Sequence, residues 1–276
     1  YLMWGCFPIY WALLNHVNPS EVLVHRMLWS VPVLFFLVYS KTSWRVNFKE
    51  SLSSRKELLF LFITAILITI NWGGYILAVN LGRVVEASMG YFLSPVINMI
   101  GGYVFFHERI SKLKQLAVLF ATVGALFYVF SGDSFPWLGF LVGFTFSAYG
   151  IARKAMSSSA VPGLYIETLI LLPFFLVFSI WFYSNFDIAF LNVDISTDIL
   201  LFLAGAVTVV PLALFNAGAK LLPMTTVGIL FLITPTLQFL VGYYLQNEAV
   251  NSNQLIGFVG VWAGLIMYSY GLIKEK

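Results

Sequence analysis

The chain has 276 residues, of which 60% are hydrophobic and only 10% are charged. Soluble domains are typically about 45–50% apolar and about 25% charged, so this sequence lacks the charged shell that a water-soluble fold of this length needs. Its net charge of +3 does not indicate nucleic-acid binding, because the lysines and arginines lie in polar turns between apolar runs. The composition predicts an integral membrane protein.

Ten apolar runs follow one another along the chain, each close to the roughly 20 residues that a membrane-spanning helix needs. They lie at 1–17, 20–40, 56–80, 84–106, 112–130, 135–153, 160–182, 197–221, 225–245 and 251–273. Closed barrels are the only other spanning solution, and these continuous runs lack the alternation of barrel strands. The sequence therefore predicts an all-α integral membrane fold with ten transmembrane helices.

The distribution of basic residues predicts the orientation of these helices. With a cytoplasmic N-terminus, 13 of the 15 lysines and arginines fall in cytoplasmic loops or in the C-terminal tail. The acidic loop 187–198 then lies outside, as the positive-inside rule favours. We expect both termini to be cytoplasmic.

The two halves of the chain resemble each other when they are shifted by 140 positions. The shift aligns Leu81, Pro95, Gly102, Tyr103, Glu108, Gly124 and Tyr128 with Leu221, Pro235, Gly242, Tyr243, Glu248, Gly264 and Tyr268. We predict two five-helix repeats, 1–132 and 133–276, in opposite orientations because five is odd. Their loop charges differ accordingly, since the basic loop 107–114 aligns with 247–254, which has no basic residue. Inverted repeats are typical of transporters with a mid-membrane substrate site.

Two proline-containing segments occupy matching positions in these repeats. Ser94, Pro95 and Asn98 align with Thr234, Pro235 and Gln238, so that each segment reads hydroxyl, proline, two spacers, amide. A proline inside a helix removes one main-chain hydrogen bond, and at membrane depth such a break is tolerated where it lines a cavity or is buried in protein. We predict substrate binding here, with kinks at the prolines. The alternative is a pair of packing kinks joined by interhelical amide bonds.

Further aromatic and amide residues at comparable depths complete the predicted substrate site. They are Tyr10, Asn71, Trp72, Tyr75, Tyr149 and Asn216. An aromatic and amide lining suits an uncharged or amphipathic organic solute. Each aromatic side chain could instead face lipid or pack against a neighbouring helix.

Three ionisable residues within the apolar runs are candidates for proton coupling, because charges inside a membrane are costly. They are Glu21, His25 and Glu167. The alternative is an interfacial charge cluster that fixes helix ends. Glu108 and Glu248 are expected at the membrane edge, in contact with water.

The sequence shows no metal-ligand spacing, no phosphate-binding loop and no HExxH or GxSxG motif. We expect no cofactor and no metal, and a gradient rather than ATP as the energy source. The hypothesis opposed to transport is a membrane-embedded enzyme that acts on a lipid or peptide. The pairs Gly139/Gly143 and Gly260/Gly264 have GxxxG spacing, which favours close packing within a monomer or, alternatively, a homodimer.

Three stretches resemble a known family: EVLVHRMLWS at 21–30, NWGGYILAVNLGRVVEASMGYFLSPVINMIGGYVFFHER at 71–109, and NAGAKLLPMTTVGILFLITPTLQF at 216–239. They are similar to the RarD branch of the EamA-type transporters, in the drug/metabolite transporter superfamily. The resemblance implies a ten-helix carrier of the bacterial inner membrane, with a central cavity lined by helices 1, 3, 4, 6, 8 and 9. The RarD name is associated with chloramphenicol sensitivity. We expect a secondary transporter, in the exporting direction, for a small organic metabolite or drug-like solute.

Overall fold

The computed structural model describes residues 1–81, 90–129, 137–245 and 252–274, and within these ranges all regular structure is helical. The helices are α1 (Leu2–Gly5), α2 (Phe7–Ala12), α3 (Pro19–Ser40), α4 (Thr42–Ser53), α5 (Arg55–Asn80), a 3₁₀ turn (Gly90–Leu93), α6 (Ser94–Phe106), α7 (Lys112–Val129), α8 (Trp137–Ala155), α9 (Ala160–Asn185), α10 (Ile195–Leu221), α11 (Met224–Phe231), α12 (Ile233–Leu245) and α13 (Ser252–Lys274).

Six segments of the described chain are long and apolar enough to cross a membrane. They are Pro19–Ser40, Arg55–Tyr75, Ala160–Asn185, Ile195–Leu221, Met224–Val241 and Leu255–Lys274. A shorter apolar helical segment covers Gly90–Phe106. The protein is therefore an all-helical, multi-pass membrane protein.

The first predicted run, 1–17, is not one continuous helix, which corrects the sequence prediction. It forms α1 and α2, separated at Cys6 and followed by turns. The reason is Pro8, which has no N–H to donate to the carbonyl of Trp4 one turn earlier. The chain cannot continue a regular hydrogen-bond ladder through that point.

Both aligned prolines stand in the first turn of a helix rather than in the middle of one. Pro95 is the second residue of α6, directly after the 3₁₀ turn. Pro235 is the third residue of α12, and α11 ends just before it with Leu232 as the intervening residue. The first turn of a helix tolerates proline because its N–H groups have no intrahelical acceptor. The predicted run 225–245 therefore forms two helices, α11 and α12. In the other run, 84–106, residues 84–89 lie outside the described part of the chain.

The chain forms two compact units, each built from segments that are distant in sequence. Unit 1 comprises 1–9, 67–151 and 219–276, and unit 2 comprises 10–66 and 152–218. This division differs from the predicted repeats, because each unit contains residues from both halves of the sequence.

Glycines allow close helix packing in unit 1. A Cβ on Gly124 would lie 2.6 Å from the Val261 nitrogen, and one on Gly264 would lie 2.6 Å from the Ala117 oxygen, so α7 and α13 approach backbone to backbone. A Cβ on Gly143 would likewise lie 2.1 Å from the Gly90 oxygen. The Gly139/Gly143 and Gly260/Gly264 pairs therefore pack within one chain.

In unit 2, α9 packs against α3 and against α4. The segment predicted as the loop 41–56 contains helix α4. Its side chains Asn47 and Phe48 contact the start of α9: Asn47 Oδ1 accepts a hydrogen bond of 2.7 Å from the N–H of the N-cap residue Ser159, and the Phe48 ring centroid lies 5.3 Å from that of Tyr165. The hydropathy pattern missed this helix because it is polar and too short to span a membrane.

Candidate functional site

An aromatic cluster forms the centre of unit 1. Its rings come from α1, the 3₁₀ turn, α8 and α11, and they are Tyr1, Trp4, Tyr91, Phe146 and Phe231. Phe231 is its hub, because its ring centroid lies 5.1 Å from that of Phe146 in a stacked arrangement and 5.2 Å from that of Tyr91 edge to face. Both geometries are favourable for aromatic pairs. The sequence prediction did not include Phe146, Phe231 or Tyr91.

Two of the predicted polar residues hold the broken first helix in unit 1. The amide of Gln238 donates a 3.1 Å hydrogen bond to the Trp4 carbonyl, which is the carbonyl that Pro8 cannot reach. The hydroxyl of Thr234 donates to the Tyr1 carbonyl at 3.2 Å. These two hydrogen bonds therefore tie the start of the chain to α12.

Buried polar atoms lie on α6 and α12. Ser94 Oγ, Asn98 Oδ1 and Thr236 Oγ1 have no hydrogen-bond partner within the described part of the chain. Asn98 is 4% exposed and packs against α11, where a Cβ on Gly228 would lie 2.9 Å from the Asn98 Cβ. Gly228 precedes Phe231 by about one helical turn, so Asn98 of α6 packs against α11, the helix that carries the hub of the aromatic cluster. A buried acceptor without a partner is costly and calls for a ligand or a mechanistic role.

The three predicted residues of α5 lie in unit 1. Asn71 is buried and donates to the Val142 carbonyl at 2.7 Å and to Thr145 Oγ1 at 3.2 Å, which ties α5 to α8. Tyr75 packs beside the same part of α8, and Trp72 is partly buried. Tyr149 of α8 is fully buried, with its ring centroid 6.3 Å from that of Phe146. Unit 1 thus contains eight of the ten predicted substrate-binding residues.

The other two predicted substrate-binding residues, Tyr10 and Asn216, lie in unit 2. The Tyr10 hydroxyl donates to the Leu200 carbonyl, and its ring packs with Leu14 and Leu201. Asn216 is completely buried within α10.

Glu21 and His25 form a polar cluster at one end of unit 2. The Glu21 carboxylate accepts hydrogen bonds from the main-chain N–H groups of Ala189 and Phe190, at 2.9–3.0 Å. His25 Nδ1 accepts from the indole N–H of Trp29 at 3.0 Å, while its Nε2 lies 3.2 Å from the Tyr183 hydroxyl. Because an indole nitrogen only donates, His25 has its proton on Nε2 and is neutral while this bond holds.

Glu167 lies in a second, fully buried polar cluster of unit 2. The Thr64 hydroxyl donates to Glu167 Oε1 at 2.5 Å, and Arg153 Nη1 lies 3.6 Å from the same oxygen. Arg153 Nη2 also donates to the carbonyls of Ser159 and Ala160, at 3.2 and 3.1 Å. Arg153 was assigned to a cytoplasmic loop from the sequence, but its side chain is completely buried. Its position at the end of an apolar run, with Glu167 early in the next, is the signal that could have predicted the pair.

Two carboxylates cap helix starts or turns that lack side-chain caps of their own. Glu108 accepts from the Met224 N–H at 2.7 Å and the Thr225 N–H at 3.3 Å, at the start of α11 whose N-cap is Pro223. Glu57 accepts from the N–H groups of Ser157 and Ser158, at 3.0 and 3.1 Å. Glu108 is half-buried and satisfies open N–H groups at a helix start, a role that the sequence prediction did not include. Glu248 lies outside the described residues.

The helical architecture defines a polytopic membrane protein whose described helices carry buried polar groups. The comparisons with known proteins give the family: the EamA-like transporter family matches residues 1–130 and again 135–270. The chain belongs to this family.

Its relatives match along the whole chain. It is 36% identical over 278 residues to the "Uncharacterized transporter YojE" of Bacillus subtilis, an alignment that covers 100% of this chain and 93% of the relative. It is 34% identical to "Protein RarD" of Salmonella typhi, with 97% of this chain and 91% of the relative covered. One solved structure, described only as "Crystal structure of protein", has the same fold, with a TM-score of 0.73 at 14% identity over 98% of this chain and 94% of the solved chain. The protein is a RarD-type member of the EamA-like family.

Proposed function

We propose that the protein is a secondary transporter that moves a small organic metabolite or drug-like solute across the bacterial inner membrane by alternating access. The proposed topology has ten spans in two inverted repeats, both termini in the cytoplasm, and export as the direction. Family membership supports the transporter class. The distribution of basic residues supports the orientation.

The observation that carries the substrate site is the Asn98 side-chain oxygen. It is buried and has no partner among the described residues, on a helix that packs against the one bearing Phe231. A solute with an aromatic or flat apolar part and a hydrogen-bond donor would stack on the rings and satisfy this oxygen. Ser94 Oγ and Thr236 Oγ1 offer further bonds to such a solute. The proposed site comprises the sequence-predicted residues that lie in unit 1, with the aromatic cluster added to them.

If transport is coupled to protons, Glu21, His25 or Glu167 is the proposed carrier. Each has polar partners in this conformation: main-chain N–H groups for Glu21, the Trp29 indole for His25, and Arg153 for Glu167. Coupling requires that these partners separate in the other conformation of the transport cycle. Flux of Glu167→Gln, measured with and without an imposed pH gradient, tests the Glu167 assignment.

The test of transport is flux in proteoliposomes that contain the purified full chain. The solute panel consists of uncharged and amphipathic aromatic compounds and includes chloramphenicol. We expect flux above that of empty vesicles for at least one solute, and a loss of about tenfold in Asn98→Ala because one substrate hydrogen bond is removed. Ser179→Ala is the matched control, since its buried hydroxyl bonds only to carbonyls of its own helix.

Absence of flux for the whole panel would contradict the transport proposal. Unchanged flux in Asn98→Ala, with the unsubstituted protein active, would remove Asn98 from the substrate site and leave the transport function in place.

A further inference from the structure

Helix α4 presents a basic face that nothing in the substrate site uses. Arg45 and Lys49 lie four residues apart and form a stripe along the helix, and Lys41 is the residue directly before the helix; all three side chains are exposed. Arg55 and Lys56 follow at the start of α5 and are also exposed.

The opposite face of α4 fixes the direction in which this stripe points. Asn47 accepts a hydrogen bond from the Ser159 N–H and Phe48 packs on Tyr165, so this side of α4 faces α9, and Ser51 is buried. At 100° per residue, Arg45 and Lys49 lie on the far side of the helix from Asn47 and Ser51. The stripe therefore faces away from the protein.

The position of α4 in the chain places it at a membrane surface. It connects α3, which ends at Ser40, with α5, which begins at Arg55, and both neighbours contain candidate membrane spans. Its exposed face also carries Val46 and Leu52, whose side chains are 49% and 42% exposed. A helix that mixes basic and apolar residues on its outer face suits the boundary between lipid headgroups and acyl chains.

Little negative charge opposes the stripe. Glu50 is the one acidic residue between positions 41 and 56. The next, Glu57, accepts hydrogen bonds from the N–H groups of Ser157 and Ser158. The Lys41 ammonium lies 4.4 Å from the centroid of the Trp44 ring, in a cation–π contact at the start of α4.

We propose that α4 is a binding surface for anionic phospholipid headgroups, with Lys41, Arg45 and Lys49 as the phosphate contacts. Arg45 and Lys49 bind phosphate oxygens, while Val46 and Leu52 contact the adjacent acyl chains. The bound lipid holds α4 flat on the membrane and thereby stabilises the junction between α3 and α5. This binding is independent of the proposed transport, because it is measured without flux.

The experiment compares lipid binding to the purified full chain in detergent, with phosphatidylglycerol and phosphatidylcholine as probes and native mass spectrometry as the readout. We expect the unsubstituted protein to prefer phosphatidylglycerol by about a hundredfold, because three basic side chains contribute about fivefold each. The variant K41Q/R45Q/K49Q should lose most of this preference, at about fivefold for each charge removed. The single variant K49Q, which perturbs the fold least, should lose about fivefold.

The control R109Q/K112Q/K274Q removes three exposed basic residues outside α4, so its net charge changes by the same amount. We expect it to keep the preference for phosphatidylglycerol. An equal loss in this control would show that overall charge, and not α4, attracts the lipid. Full preference retained in both K49Q and the triple α4 variant would also overturn the proposal.

Discussion

The buried pair of Arg153 and Glu167 gives the sharpest prediction of stability. The two groups are 3.6 Å apart, and their side chains are 0% and 2% exposed. At an effective dielectric constant of about 20, a pair at this distance attracts by about 5 kcal/mol. Desolvation of both charges offsets most of that gain, so the net worth of the intact pair is small. The large effect appears when only one partner is removed.

We expect Glu167→Gln and Arg153→Met each to lower the free energy of unfolding by about 3–5 kcal/mol, because each leaves one buried charge without its counter-charge. The loss for Glu167→Gln should lie at the lower end of this range, since Arg153 keeps its hydrogen bonds to the carbonyls of Ser159 and Ala160. In Arg153→Met the Glu167 carboxylate retains only the hydrogen bond from the Thr64 hydroxyl among the side-chain contacts described above. The double variant should be at least about 3 kcal/mol more stable than the sum of the two single effects predicts.

The measurement is unfolding of the purified protein in mixed micelles titrated with dodecyl sulfate, followed by tryptophan fluorescence. Thr168→Val is the matched control, because Thr168 is buried on the same helix and bonds only to the Leu164 carbonyl one turn earlier. This control should lower the free energy of unfolding by less than about 1 kcal/mol. Additivity of the two single variants within about 0.5 kcal/mol would refute the reasoning, since independent sites add to that accuracy.

Three further variants test other contacts by the same assay. Glu108→Ala should lower the free energy of unfolding by about 1–3 kcal/mol, because it leaves the N–H groups at the start of α11 without an acceptor. Glu50→Ala, at an exposed position, should change it by less than about 0.5 kcal/mol, and equal effects of the two variants would contradict the capping role of Glu108. Gly264→Ala should lower the free energy of unfolding by about 1–3 kcal/mol, because the new Cβ would meet the backbone of α7. Gly218→Ala, whose Cβ would meet nothing within 4 Å, should be neutral or should stabilise the protein by up to about 1 kcal/mol. The reverse order of the two effects would contradict the close packing of α7 and α13. Gly163→Ala should lower the free energy of unfolding by about 1–3 kcal/mol in the unsubstituted protein, because its Cβ would lie 2.2 Å from Arg153 Nη1. In the Arg153→Met background the same substitution should have a much smaller effect. An equal effect in both backgrounds would exclude a clash with the guanidinium.

The long helices follow from the sequence because length and hydropathy suffice to predict them. α3, α5, α7, α9, α10 and α13 agree with predicted apolar runs to within a few residues at each end. The interruptions were harder to place, because a proline is tolerated inside a membrane helix whenever neighbouring groups satisfy the freed carbonyl. At Pro8 that neighbour is Gln238, some 230 positions later in the chain. No local pattern contains such a partner.

The predicted site shows the same limit at the level of side chains. The pattern of hydroxyl, proline and amide singled out polar residues beside prolines, but it could not distinguish an amide that binds a neighbouring carbonyl from one that remains available for a solute. Gln238 and Asn71 bind main-chain carbonyls, whereas Asn98 has a buried oxygen without a partner in the described structure. The aligned positions of Asn98 and Gln238 are therefore unlike in their chemistry. Packing from distant segments, rather than spacing, decides which amide can bind a solute.

The carboxylates show how the two sequence halves depend on each other. Glu21, Glu57 and Glu108 all belong to the first half, and each accepts hydrogen bonds from main-chain N–H groups of the second half. Each of these contacts lies within one compact unit, and each unit contains segments from both halves. Main-chain N–H groups at helix starts and turns are costly to leave open near a membrane, so a half on its own would lack these acceptors. The two halves of the sequence thus depend on each other, because carboxylates of the first half accept hydrogen bonds from main-chain N–H groups of the second half.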